Sequence, residues 1–235
     1  MTAAEIVEEL RALGRDSIKK VLTKHGIAEP LFGVKVEELK KIQKRLKKDY
    51  QLSLDLYATG IYDAMYLAGL IADDHKMSKK DLQNWVKKAT CDALCNFTVA
   101  WVAAESLHGW DLATEWIDSK KDKVALAGWA TLSSLVGIKD NSDLDLVTLQ
   151  SLVLRVQKEI HSAPNAVRSA MNSFMIAVGT YVSPLTELVL KTSKKIGTVV
   201  VDVGEISCKV PYAPDSIEKA QKKGAIGKKR KTAKC

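Results

Sequence analysis

No stretch of this sequence approaches the roughly 18 consecutive apolar residues of a membrane span, so it predicts no transmembrane helix. It is poor in cysteine: only Cys91, Cys95, Cys208 and Cys235 occur. A chain of 235 residues, 46% of them apolar, can build a sizeable core and needs no disulfides to hold it. The first residues lack the basic stretch and apolar run of a secretory leader, and instead alternate apolar positions with Glu5, Glu8 and Glu9. These absences together point to a reducing, cytoplasmic setting. The chain also has almost nothing that reads as β-strand. Only residues 199–203 (Val-Val-Val-Asp-Val) are β-branched and extended in character. Outside the end of the chain there is no excess charge of either sign. The formal net charge is +8, and residues 216–235 hold eight Lys or Arg against one Glu, leaving the remainder close to neutral. The basic character is therefore that of a tail.

What is present is helical. Thr2 followed by Glu5 is a capping-box pattern, and Ile6, Val7, Leu10 and Leu13 form one face before Gly14. A second short helix is expected over residues 16–24, ended by His25-Gly26, and Pro30 and Gly33 punctuate a loop. Leu39, Ile42 and Leu46 recur at helical spacing with lysines opposite. Ser78 and Asp81 repeat the capping pattern ahead of Leu82, Trp85 and Val86. Residues 91–107 are small or apolar on all sides, as in a helix buried all round. Further helices follow over about 110–117, 124–136, 144–160, 167–181 and 184–195. Many short helices in pairs recurring every 35 to 45 residues or so match the range of HEAT and armadillo arrays. The expected fold is an all-α, HEAT-like α-solenoid over 1–197, with an extension over 198–235 that carries a short extended segment and a basic tail. An irregular all-α globule is the plainer alternative.

The segment Lys24-His25-Gly26-Ile27-Ala28-Glu29-Pro30-Leu31-Phe32-Gly33-Val34-Lys35-Val36, followed by Leu39-Lys40-Lys41, resembles the opening of the DNA alkylation repair family of AlkD-type alkylpurine DNA glycosylases. Helix order, tryptophans and length extend the resemblance to about residue 195. Asn165-Ala166-Val167-Arg168-Ser169-Ala170-Met171-Asn172, Cys208-Lys209-Val210-Pro211 and the stretch 224–231 resemble a distinct branch of that superfamily. The resemblance implies a HEAT-like solenoid with a concave groove that faces DNA. For an active glycosylase it also implies two tryptophans, a carboxylate and an arginine in that groove. Breaking an N-glycosidic bond develops cationic charge on the sugar, which a carboxylate or aromatic face stabilises. Aligned by pattern, the first tryptophan and the carboxylate fall on Cys91 and Cys95, the arginine on Gly128, and the second tryptophan on Ser173. All four depart from the family's pattern, which puts excision of the AlkD type in doubt.

The remaining candidates are weighed against packing. Cys91 and Cys95 share a helical face without a third ligand nearby, so they read as core rather than metal, and no cofactor site is announced. Most of the five tryptophans fall on apolar stripes and read as packing. Arg168 and Asn172 stand at i and i+4, with Asn165 near the start of the same helix. As DNA contacts they suit phosphate and polar groups, and as plain surface residues they stabilise the helix. Lys228, Lys229, Arg230 and Lys231 neutralise phosphates, or simply solubilise a mobile tail bracketed by Gly224 and Gly227. If a divergent active site exists, its candidates are Asp92, Glu105 and Asn172. The expected function is DNA binding through the phosphate backbone. A divergent alkylpurine DNA glycosylase and a protein-interaction scaffold are the alternatives.

Overall fold

The computed structural model describes residues 1–202 and 210–234. Every regular element among them is a helix. The described part of the expected extended stretch, Val199 to Asp202, joins no ladder, and side chains of a neighbouring helix take three of its backbone groups. Val203, Cys208, Lys209 and Cys235 lie outside the described residues. No single helix among those described is long and apolar enough to cross a membrane.

The chain forms two compact units. The first is Met1–His108 together with Lys234, and the second is Gly109–Ala233.

In the first unit the helices are α1 (Ala3–Leu13), α2 (Asp16–Lys24), α3 (Val36–Leu46), α4 (Tyr50–Ala58), α5 (Tyr62–Ile71) and α6 (Lys79–Lys88). A continuous run over 92–105 follows, made of α7 (Asp92–Leu94), a π-helical turn Cys95–Val99 and α8 (Ala100–Glu105). The capping boxes form: Glu5 accepts from the Thr2 backbone at 2.8 Å, and Asp81 from that of Ser78 at 3.0 Å. Helix α5 is apolar all round and every residue in it is buried, including Asp63. It packs on α3 and α4 and on the π-helical turn, which makes it the axis of the unit.

Asp63 explains the sequence motif that opens the chain. Its carboxylate is fully buried and accepts from the backbone N–H of Phe32 at 2.6 Å and of Val34 at 2.8 Å. A buried charge needs such donors, because isolation in an apolar interior is costly. Gly33 lies between the two donors with φ +77, and a Cβ there would stand 2.6 Å from the Lys19 amide nitrogen. Leu31 and Val34 are buried on either side. The motif is thus a buried brace that ties the α2–α3 loop to α5.

The second unit holds α9 (Gly109–Trp116), α10 (Asp122–Ile138), α11 (Leu146–Glu159), α12 (Asn165–Tyr181), α13 (Thr186–Ile196) and α14 (Ala213–Lys222), with single 3₁₀ turns at Asn141–Asp143 and Ser183–Leu185. Helix α10 packs on both α9 and α12, α11 on α13, and α12 on α13 and α14. Each helix thus touches its next neighbour or the one beyond, the stacking pattern of a solenoid. Its centre is Trp129 on α10, fully buried, against Phe174 of α12 with ring centroids 5.1 Å apart. Helix α14 was not expected from the sequence. Its ten residues start with Pro214 at the first turn and bury Ile217 completely.

Candidate nucleic-acid interface

The row expected to meet DNA on α12 is already occupied by the chain itself. Asn165, Arg168 and Asn172 share one side of the helix, at i, i+3 and i+7. The Asn165 amide donates to the Asp202 carbonyl and accepts from the Asp202 N–H at 2.8 Å. Arg168 donates to the carbonyls of Val200 at 2.8 Å and Ala163 at 3.0 Å. Asn172 is 3% exposed and donates to the Pro211 carbonyl at 2.9 Å. The three side chains grip main chain that returns along α12. In place of a neighbouring strand, an amide and a guanidinium take the Val200 carbonyl and both backbone groups of Asp202. Buried and bonded, Asn172 is also unsuited to the catalytic role considered for it.

The basic tail is docked rather than mobile, which corrects the expectation drawn from its glycines. Gly224 and Gly227 adopt φ +60 and +76 and turn the chain. The Gly227 N–H then bonds the Thr180 carbonyl at 2.8 Å, and the Arg230 N–H bonds the Gly137 carbonyl at 2.8 Å. Lys229 donates to the Val136 carbonyl at 2.9 Å, and burial lowers its ammonium pKa. The Arg230 guanidinium lies 5.7 Å from the centroid of the Tyr181 ring. In the first unit, Lys234 places its ammonium 2.8 Å from Oδ1 of the buried Asp74 and donates to the Ala72 carbonyl at 3.1 Å. Of the four expected tail contacts, Lys228, Arg230 and Lys231 are exposed, and among the described residues Lys228 and Lys231 make no side-chain hydrogen bond or ion pair.

The resemblance maps its catalytic groups onto Cys91, Cys95, Gly128 and Ser173. Cys91 is 7% exposed and Cys95 is fully buried. Gly128 faces the end of α9 so closely that a Cβ would stand 2.6 Å from the Ile117 nitrogen, so any side chain there would have to push backbone aside. Ser173 is exposed and bonds back to the Ser169 carbonyl at 3.1 Å. Trp129 is core, and Trp85 is core too, stacked on Tyr57 at 4.1 Å. Glu105 is half-buried. Burial depresses the Lys48 ammonium, but Asp74 outweighs this and raises it, with Glu105 and Asp73 adding to the effect.

Asp92 differs from the other candidates. Along 92–105 the positions that solvent reaches are Asp92, Ala93, Asn96, Phe97 and Glu105, and every other position is buried. Asn96 and Phe97 were not singled out in the sequence, because a helix apolar on nearly all sides gives no period from which to read its open strip. Among the described residues no three His, Cys, Asp or Glu side chains group as metal ligands would.

Comparison with known proteins places this geometry among relatives. A family model described as DNA alkylation repair enzyme matches residues 6–196. The uncharacterized protein Lin0241 of Listeria innocua is 30% identical over 94% of this chain and 98% of its own. The uncharacterized protein Lmo0209 of Listeria monocytogenes is 29% identical over the same shares. A solved structure, described as a new family of proteins related to the HEAT-like repeat DNA glycosylases with affinity for branched DNA structures, is 34% identical. It matches with a TM-score of 0.93 over 100% of both chains.

Proposed function

The chain belongs to the DNA alkylation repair enzyme family, and from that premise we propose that it binds DNA through the phosphate backbone without alkylpurine excision of the AlkD type. Its fold is that of the HEAT-like repeat DNA glycosylase relatives. The observation that carries the reading is Gly128: where the family's chemistry asks for an arginine, α10 and α9 are in backbone contact. The buried thiols Cys91 and Cys95 support it, since neither offers a carboxylate or an aromatic face to a sugar cation. The affinity for branched DNA of the solved relative supports DNA as the ligand. Of the expected contacts, the exposed Lys228 and Lys231 have no side-chain hydrogen bond or ion pair among the described residues and suit phosphates.

Two assays on the full chain test this. Fluorescence anisotropy with paired and branched DNA should give binding that weakens as salt rises. Incubation with methylated duplex should release no methylpurine above the uncatalysed background. Release that is lost in Asp92→Asn would establish a divergent glycosylase instead. A stable protein partner combined with no DNA affinity would establish a scaffold.

A further inference from the structure

The open strip of the 92–105 run has a composition suited to one kind of ligand. Phe97 is 42% exposed, the one large apolar side chain on the open strip of this run. Its ring is backed by Trp101, with centroids 5.5 Å apart, and Trp101 meets Tyr66 edge-on at 5.7 Å. Trp101 and Tyr66 are each less than a tenth exposed. Phe97 is therefore a ring held from behind with its outer side free. The backbone that presents it is a π-helical turn, Cys95–Val99, a rare widening concentrated at functional sites. This turn is maintained at a cost. Thr98, next to Phe97, is pressed against α5, where a Cβ on Gly69 would stand 2.6 Å from the Thr98 methyl. The Thr98 hydroxyl is fully buried with no hydrogen-bond partner among the described residues.

On the same open strip are Asn96, next to Phe97 in sequence, and the exposed Asp92, one turn before Asn96. Neither makes a side-chain hydrogen bond or ion pair among the described residues. A carboxylate here repels phosphate but accepts from the exocyclic amino group of cytosine, and an asparagine amide pairs with the amino edge of adenine. We infer that Phe97, Asn96 and Asp92 form a seat for an unpaired nucleobase bearing an exocyclic amino group, stacked on Phe97 with its amino edge toward Asn96 and Asp92. This rests on the reading that the chain binds DNA, and adds a base-recognising element to backbone contact. A flat ring with one free face stacks any base, so the ring supplies affinity and the two polar groups supply the preference.

The test compares a fully paired duplex with the same duplex carrying one unpaired adenine, cytosine or thymine. The wild type should bind the adenine and cytosine bulges more tightly than either the thymine bulge or the paired duplex. Phe97→Ala should weaken bulge binding by about tenfold or more, within the range of alanine substitutions at base-stacking aromatics, and leave paired-duplex affinity unchanged. Phe97→Leu, which keeps apolar contact with Trp101, should lose the same increment if stacking matters and little if only packing does. Asn96→Ala and Asp92→Ala should each reduce the preference over thymine. Paired-duplex binding with no bulge preference, or a Phe97→Ala effect equal on all probes, would overturn the seat and leave backbone binding standing. No binding to any probe would overturn both.

Discussion

Replacing Arg168 with alanine separates an internal clamp from a phosphate ligand. The guanidinium donates to the carbonyls of Val200 at 2.8 Å and Ala163 at 3.0 Å. A hydrogen bond from a charged donor contributes about 1.5–3 kcal/mol. Arg168 is only half-buried and Val200 is 68% exposed, so water recovers much of that when the side chain is removed. The expected loss is about 1–2 kcal/mol for the pair of bonds. For a chain of this length each kcal/mol lowers Tm by about 2–4 °C, which gives a fall of roughly 2–8 °C. Arg168→Lys keeps the charge but not the forked geometry, and should fall between alanine and wild type. The assay pairs a thermal melt with a salt titration of DNA affinity. A clamp loses Tm, gains hydrogen exchange around Val200 and Asp202, and keeps its salt slope. A phosphate ligand keeps its Tm and loses about 0.9 from the slope. That second outcome would refute the assignment of Arg168 to the chain's own backbone.

Three further predictions follow from the same geometry. Asp63→Ala leaves the Phe32 and Val34 amides without their acceptor and should cost about 2–4 kcal/mol in a denaturant melt, while an unchanged midpoint would contradict the brace. Gly128→Ala should destabilise by about 1–3 kcal/mol through the clash with Ile117, read by the same melt, and a neutral result would mean that the α9–α10 contact yields easily. Burial raises the Asp81 carboxyl, but hydrogen bonds from Ser78 and Tyr50 outweigh this and hold it below its ordinary 3.8. A depressed carboxyl contributes stability that is present above its unfolded pKa and lost as pH falls through the folded one. Ser78→Ala should therefore narrow the stability gap between neutral pH and pH below about 4, as followed by melts across that range.

The helices and their caps were legible because they depend on local spacing. Thr2 with Glu5 and Ser78 with Asp81 form their boxes as read, and Leu39 and Ile42 are buried as their spacing implied. What escaped depends on partners distant in sequence. The shared face of Arg168 and Asn172 was visible, with Asn165 near the start of their helix, but the three reach main-chain atoms 32 to 39 residues onward, which carry no side-chain signature. Asp63 is one polar residue in an apolar helix, and only the fold shows two amides converging on it. The glycines of the tail suggested mobility, since a residue free to adopt positive φ serves a linker and a docked turn equally well. The π-helical turn at Cys95–Val99 was illegible because its residues are compatible with an ordinary buried helix.

The claim on which the functional account depends is backbone binding, and the dissociation constant of the full chain for a fully paired duplex tests it most directly, measured from about 50 to 200 mM salt. The account predicts a straight log–log plot with a slope of about −3 or steeper, the signature of several neutralised phosphates. A flat plot, or no binding at the lowest salt, would contradict it.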